Sequence, residues 1–468
     1  MLVVNGNRER RPQTLVPIGA CAVAAAAEAA GHETHFLDLC FARWPLRALR
    51  ARLRRVQPEV IGLSVRNLDN CDAAAPVSYL PEVRALVQAC RQQPGAVIVL
   101  GGAAVSLAPA AMLRTVGGDY AVVGEGERTF VAVLRALVQQ ADPAALPGVV
   151  AASAGIPETP APLEMHLDTL PAVDYTRWLA LSRYRACDAA YPLQTKRGCC
   201  FRCSYCRYAH LEGRDWRLRE PAAVVEEAAR AAATGLRLIE VVDSVFGLPT
   251  AHAIACCEAM HRRRLATALC TVDLHPTACV PELMQAMHAA GFTSVAVTAE
   301  SGSEAMLAQM QKGFTVAELH RAAQTLRGLP AQKMWIFLVG APGECEATLR
   351  ETARFIGTLP ATDFVYVNFG VRVLPGTALQ QALIASGELD TELDLLPPYF
   401  YHSPQITPAR AQEILAQSGF PAMRFVTMHD SAHWVLPLIQ RLIAKTGLQP
   451  PYWRHLPGLN RLKQVLRL

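Results

Sequence analysis

The sequence predicts an α/β protein: an N-terminal Rossmann-like, doubly wound parallel sheet, then a partial (β/α)6 barrel, then a small, mainly helical C-terminal region. Three observations predict it. Short runs rich in Val, Ile and Leu recur along the chain with helix-length segments between them. Strands apolar throughout, rather than alternating, suit parallel sheets covered on both faces. Glycines fall where these runs end, which is where open parallel sheets bind ligands. After about residue 385 the alternation stops and Pro and aromatics take over (LPPYFYHSP, LQPPYWRHLPG).

The elements follow in order. MLVVNG (1–6) is the first strand. GACAVAAAAEAA (19–30) is an Ala-rich helix, and Gly31 suits its C-terminal end. THFLDL (34–39), VIGLSV (60–65), VIVLGG (97–102) and YAVVGEGE (120–127) are the next strands. The helices between them are the basic LRALRARLRRV, one ending near Arg91 and one near 108–115; TFVAVLRALVQQ (129–140) closes the unit. Residues 1–145 are read as this domain and 146–184, rich in Pro and Ala, as a linker. Residues 185–385 carry six further strands, at 191–196, 236–242, 268–273, 294–299, 334–339 and 364–373, separated by helices such as 221–234 and 279–290. Six βα units at this spacing predict a partial barrel. Residues 386–468 are expected to cap it, with Tyr399, Phe400, Tyr401, Tyr452 and Trp453 either shaping a pocket or packing on the barrel.

Composition narrows the function classes. Hydrophobic residues make up 51% of the chain and charged ones 18%, enough for large cores. A net charge of +5 with no basic block gives no reason to expect nucleic acid. The 14 cysteines are dispersed, as free thiols in a reducing compartment. The N-terminus is apolar first and charged second, the wrong order for a signal peptide. The apolar run Val16–Ala30 is broken by Glu28 and is too short for a membrane span. A cytoplasmic enzyme without a transmembrane segment is expected.

One segment carries chemistry. Residues 194–210 read QTKRGCCFRCSYCRYAH, in which Cys199, Cys203 and Cys206 fit C-x-x-x-C-x-x-C. Three thiolates on one loop bind three irons of a cubane and leave the fourth iron open to a substrate. The loop comes at the first C-terminal rim of the barrel, where barrel chemistry sits. Zinc is the alternative, through Cys200, Cys203 and Cys206 with His210.

With Tyr205 before the last cysteine, this motif resembles that of the radical S-adenosylmethionine (SAM) superfamily. VVDSVFG (241–247), TAESGSEAML (298–307), FLVGAPGE (337–344) and VLPGT (373–377) agree in order. The resemblance implies a [4Fe–4S] cluster on Cys199, Cys203 and Cys206, and Tyr205 near the adenine of SAM. It implies SAM contacts from Glu300 and Ser301, and from Asp243 and Ser244, with a rim salt bridge or helix cap as the alternative for Asp243 and Glu300. Gly340 and Gly343 would shape a turn near SAM.

The first domain resembles the cobalamin-binding domain that precedes such barrels, on residues 16–39, 60–70, 97–106 and 119–130. Ser64, Arg66, Asn67, Gly101, Gly102, Gly124, Glu125 and Gly126 are the implied cobalamin contacts. A nucleotide site competes, but no G-x-G-x-x-G follows the first strand. The D-x-H-x-x-G of histidine-ligating cobalamin domains is replaced by NGNRERRP, so a histidine below the cobalt is not expected. Arg66 is the candidate for the lower face of the corrin, with pairing to Asp69 or a corrin amide as the alternative.

The implied reaction is methylation of an unactivated carbon in a small-molecule or natural-product substrate, through a 5′-deoxyadenosyl radical and methylcobalamin. Cyclisation or rearrangement with the same cofactors is the alternative; a methylthiotransferase or a non-catalytic sensor fits less well. The expected partners are a small-molecule or peptide substrate and an electron donor such as flavodoxin or ferredoxin.

Overall fold

The computed structural model describes residues 1–10, 13–152, 163–421, 424–427, 445 and 453. The first sheet has six strands: β1 (Leu2–Asn5), β2 (His35–Asp38), β3 (Val60–Ser64), β4 (Val97–Gly101), β5 (Tyr120–Val122) and β6 (Val149–Ala151). Their spatial order is β2-β1-β3-β4-β5-β6. The first five are parallel, and β6 is antiparallel to β5. The order reverses between β1 and β3, so a crevice opens outside their carboxyl ends. Register places Asn5, Ser64 and Gly101 in one row along that edge.

The second sheet runs β7 (Tyr191–Leu193), β10 (Leu238–Val241), β11 (Ala268–Leu274), β12 (Phe292–Glu300), β13 (Gln332–Val339), β14 (Phe364–Phe369), β17 (Phe425–Thr427), all parallel. Two small antiparallel ribbons flank it: β8 (Lys196–Arg197) with β9 (Arg217–Leu218), and β15 (Val371–Arg372) with β16 (Phe400–Tyr401). Several helices start where proline sits at the first position, as at Pro221, Pro281 and Pro408, because its missing N–H would be unpaired there anyway. Among the described residues no helix is long and apolar enough to cross a membrane.

Two sequence expectations are corrected. The segment 146–184, read as a linker, is structural. Val149–Ala151 closes the first sheet as β6. Tyr175, Trp178, Leu179, Leu181 and Tyr184 are buried in one continuous core with Val3, Cys21 and Phe36 on one side and Tyr191 and Leu193 on the other. These large apolar side chains gain more by burial between the domains than a tether could keep in water. Beyond the six expected strands, β17 pairs with β14, so the C-terminal region adds a strand to the edge of the second sheet. Its described part includes the helix Pro408–Ala416 and short strands. Tyr401 is buried and donates to Glu388 at 2.8 Å, while Trp453 packs edge-on to Phe364. Tyr452 lies outside the described residues.

Polar contacts also tie the domains together. Buried Arg372 pairs with buried Asp69 at 2.7 Å and donates to the Leu395 carbonyl. Arg197 of β8 reaches Glu127 at 2.6 Å, and Arg217 of β9 donates to Glu125 at 2.9 Å.

Candidate active site

The three-cysteine loop runs from β8 to the short helix Tyr208–Leu211. It leaves β8 through Gly198, whose φ is +100° and where a Cβ would lie 2.1 Å from the Asp215 carbonyl oxygen; only glycine fits. Its middle is pinned from both sides: the Ser204 N–H donates to the Met310 carbonyl at 3.0 Å, and the Ser204 carbonyl accepts from the Leu379 N–H at 2.8 Å. Phe201 stacks on His275 with centroids 4.0 Å apart. Cys199 is buried, Cys203 and Cys206 are half-buried, and all three are free thiols; Cys200 is exposed. Among the described residues no three His, Cys, Asp or Glu side chains converge closely enough to share one ion. A cubane asks for one thiolate at each of three irons, and this donor set fits it.

Beside the loop, Tyr205 donates to Glu300 at 2.7 Å, and the Lys312 ammonium lies 3.2 Å from both. Burial opposes the Lys312 charge, but Glu300 and Tyr205 outweigh it and hold the ammonium protonated. Glu300 ends β12 with φ of +60°, at a shift in the register with β13. Such strain in a non-glycine residue is retained where surroundings over-determine it, often at working sites. Lys312 escaped the sequence reading; a lysine following the helix Glu304–Gln309 carries no local signal.

Asp243, Ser301 and Gly340 each have partners within the protein. Asp243 is buried and accepts from the Thr195 N–H at 2.7 Å and from its hydroxyl, with Lys196 3.7 Å away. It is the rim salt bridge. The Ser301 hydroxyl is buried against Thr352 at 3.0 Å. Gly340 makes a turn at φ +94°, its N–H donating to Glu344 at 2.6 Å. Ser244 instead donates to Glu212 at 2.6 Å, and Glu212 faces the next feature.

That feature is a cleft between the domains, enclosing about 1460 Å³ with its open mouth. The first domain contributes Ser64, Arg66, Gly101, Gly102, Gly124, Glu125 and Gly126; the barrel contributes Arg197, Tyr208, Leu211 and Glu212. Gly101 leaves open space where a Cβ would stand. Gly102, at φ +100°, would place one 2.5 Å from the Val65 carbonyl oxygen. Gly124 donates its N–H to Ser106 at 2.9 Å. A flat ligand can therefore lie directly on backbone here. Two cobalamin-contact expectations are modified. The Glu125 carboxylate is held by Arg217 and Arg197, so it serves as a domain clamp on the cleft wall. Asn67 lines a neighbouring recess with Arg8, Glu9 and Tyr79. Arg66 stands exposed in the cleft, and Asp69, its suggested partner, is taken by Arg372.

A doubly wound domain with a glycine-floored cleft, closed by a barrel whose first loop carries three thiols, defines an enzyme class that sets a large flat cofactor against a metal cluster. Residues 5–134 match the B12 binding domain and residues 193–356 the radical SAM superfamily. The chain thus joins a B12 binding domain to a radical SAM domain. It is similar to a tryptophan 2-C-methyltransferase of Streptomyces laurentii, 25% identical over 444 residues covering 81% of this chain and 74% of the relative. An anaerobic magnesium-protoporphyrin IX monomethyl ester cyclase of Rubrivivax gelatinosus is 26% identical over 325 residues, 65% of this chain and 55% of its own. The solved structure of the radical SAM methyltransferase TsrM from Kitasatospora setae, with cobalamin and a [4Fe–4S] cluster bound, shares the fold: TM-score 0.84, 22% identity, 100% of this chain and 98% of that one.

Proposed function

We propose that this chain methylates a carbon of a small-molecule substrate as a cobalamin-dependent radical SAM methyltransferase. One observation carries the reading: the cleft floored by the first domain's glycines is walled by Tyr208, Leu211 and Glu212, which directly follow Cys206. The two cofactor sites are contiguous. In this reading Cys199, Cys203 and Cys206 would hold a [4Fe–4S] cluster, SAM would bind beside it, and the cleft would hold cobalamin. Bound there, these groups supply reductive cleavage of SAM and delivery of its methyl group.

The chain's own part is placement. Tyr205, Glu300 and Lys312 present a rigid polar wall beside the cysteine loop. Arg66 offers a charged, non-coordinating face in the cleft. The Glu125, Glu127, Arg197 and Arg217 clamp fixes the first domain to the strands that bear the loop. Tyr399 packs in one cluster with Tyr205 and Met310 and helps exclude water. An external electron donor such as flavodoxin or ferredoxin completes the proposal.

The test is anaerobic reconstitution with iron, sulfide and cobalamin, then incubation with methyl-labelled SAM, a reductant and small-molecule extract. Label should move into a new carbon–methyl product. Zinc at the loop, or SAM cleavage that persists in the triple Cys→Ala variant, would overturn the reading. The cyclase relative names a second outcome: a product that consumes SAM but gains no label.

A further inference from the structure

One helix of the first domain carries charge that the rest of the protein leaves unanswered. Residues 39–58 hold six arginines, Arg43, Arg47, Arg50, Arg52, Arg54 and Arg55, and no aspartate or glutamate. In the sequence they alternate with leucine and alanine and form no block. The helix Pro45–Val56 sorts them. Leu49 and Leu53 are buried in the first domain's core. Positions three, four and seven apart share a helix face. The side turned away from those leucines therefore carries Trp44, Arg47, Ala51, Arg54 and Arg55, all exposed, with exposed Arg43 beside them. The helix is about 18 Å long, so the stripe is extended rather than a point.

The stripe is unpaired. Among the described residues none of the six arginines forms an ion pair: Arg50 donates to the Gln92 side chain at 3.0 Å, and Arg43 lies 5.5 Å over the Trp44 ring. Exposed arginines elsewhere are answered, Arg91 by Asp119, Arg128 by Glu164 and Arg177 by Glu28. Of the flanking acids, Asp38 is held by Asn5 and Tyr184, and Glu59 lies beyond the far end. Trp44, at the near end, is 63% exposed, so the stripe ends in an uncovered indole. Two further exposed arginines, Arg10 and Arg183, flank Phe41 near the same end, 5.9 and 5.0 Å from its ring.

A convex stripe of one sign, ending in an indole, selects among partners. Protein interfaces have an uncharged core within a polar rim, and this face has no such centre. Nucleic acid is gripped through phosphates together with base edges or stacked aromatics, and the stripe offers a single indole at one end. An anionic bilayer presents a broad field of phosphate charge. Clusters of four to eight arginines on an amphipathic helix suit that field, and tryptophan settles at its headgroup level. The helix lies on such a surface without entering it, because Leu49 and Leu53 face the core.

We propose that the face formed by Arg43, Trp44, Arg47, Arg54 and Arg55 docks this protein on an anionic phospholipid surface. The inference is independent of the cofactor reading, because vesicle binding is measured without turnover.

The test is sedimentation of the anaerobically prepared full-length protein with phosphatidylcholine vesicles, pure or mixed with phosphatidylglycerol. The mixed vesicles should bind at least tenfold more tightly, and the difference should vanish at about 1 M salt, where surface charge is screened. Replacing Arg43, Arg47, Arg54 and Arg55 together by glutamine should cost at least tenfold in affinity for the mixed vesicles. Replacing the same four by lysine should stay within threefold of the unsubstituted protein. Trp44→Ala should weaken binding at least threefold. These side chains are exposed, so the melting temperatures should match; the lysine set keeps the charge question answerable if the glutamine set does not fold. Equal binding to both vesicles, no binding to the mixed ones, or binding that survives the glutamine set or the loss of Trp44 defeats the inference. A DNA duplex that binds more tightly than the mixed vesicles in the same buffer also overturns it, in favour of nucleic acid.

Discussion

At the scale of the residue, the site is a set of ionisable groups whose partners decide their roles. Cys200→Ala should retain the full iron content and the brown absorption of the reconstituted protein, whereas Cys203→Ala should lose most of both, because the proposed cluster site uses Cys199, Cys203 and Cys206 and leaves the exposed Cys200 aside. Lys312→Met would leave Glu300 buried without its counter-ion, at a cost of about 3–5 kcal/mol. The melting temperature should fall by several degrees, and the double change with Glu300→Gln should recover part of the loss. Glu344, buried beneath the Gly340 turn, is pushed up to about 7 by burial, against an ordinary 4.5. The folded protein therefore keeps a proton that the unfolded chain releases across that window. This contribution lowers stability as pH rises from about 4.5 to 7, by up to roughly 3 kcal/mol. Denaturant melts at the two ends of the window should show the loss, and Glu344→Gln should flatten it.

At the scale of the element, strand ends and the turns after them place the chemistry. β3 and β4 end in the row Ser64 and Gly101, and the glycine turns beyond them let backbone floor the cleft. Gly198→Ala should be far more damaging than its size suggests. Its φ of +100° and the 2.1 Å approach to the Asp215 carbonyl force the cysteine loop to shift. A cost of about 1–3 kcal/mol is expected. Iron incorporation should drop by more than half while cobalamin absorption is kept, measured on the same reconstituted sample. Most strands were legible in the sequence, since each is a short apolar run bounded by glycine or a helix. β6 and β17 were not. Each is three residues long, too short to show a period, and each forms only because an existing sheet offers it an unpaired edge.

At the scale of the whole molecule, the two domains share one core and several polar ties. Arg372 and Asp69 stand 303 residues apart in sequence and meet buried, across the domain boundary. Arg372→Met should cost about 3–5 kcal/mol by stranding Asp69. Because Tyr175, Trp178 and Tyr184 bind both domains into one core, the loss should appear as a single cooperative transition shifted to lower temperature, not as two. A scan that resolves separate domain transitions in the unsubstituted protein would contradict that core.

What the sequence determined by itself was whatever a short stretch can encode: the alternation of strands and helices, the glycine-ended turns, and three cysteines at a spacing that makes one loop a ligand set. Only the tertiary structure decided which charges are spent and which are available. Asp243 and Glu300 both stand at the carboxyl ends of strands of the second sheet, yet one is closed off by Thr195 and Lys196 and the other is paired with Tyr205 and Lys312 beside the cysteine loop. A buried carboxylate is defined by the donors around it, and those donors arrive from distant strands only when the chain has folded.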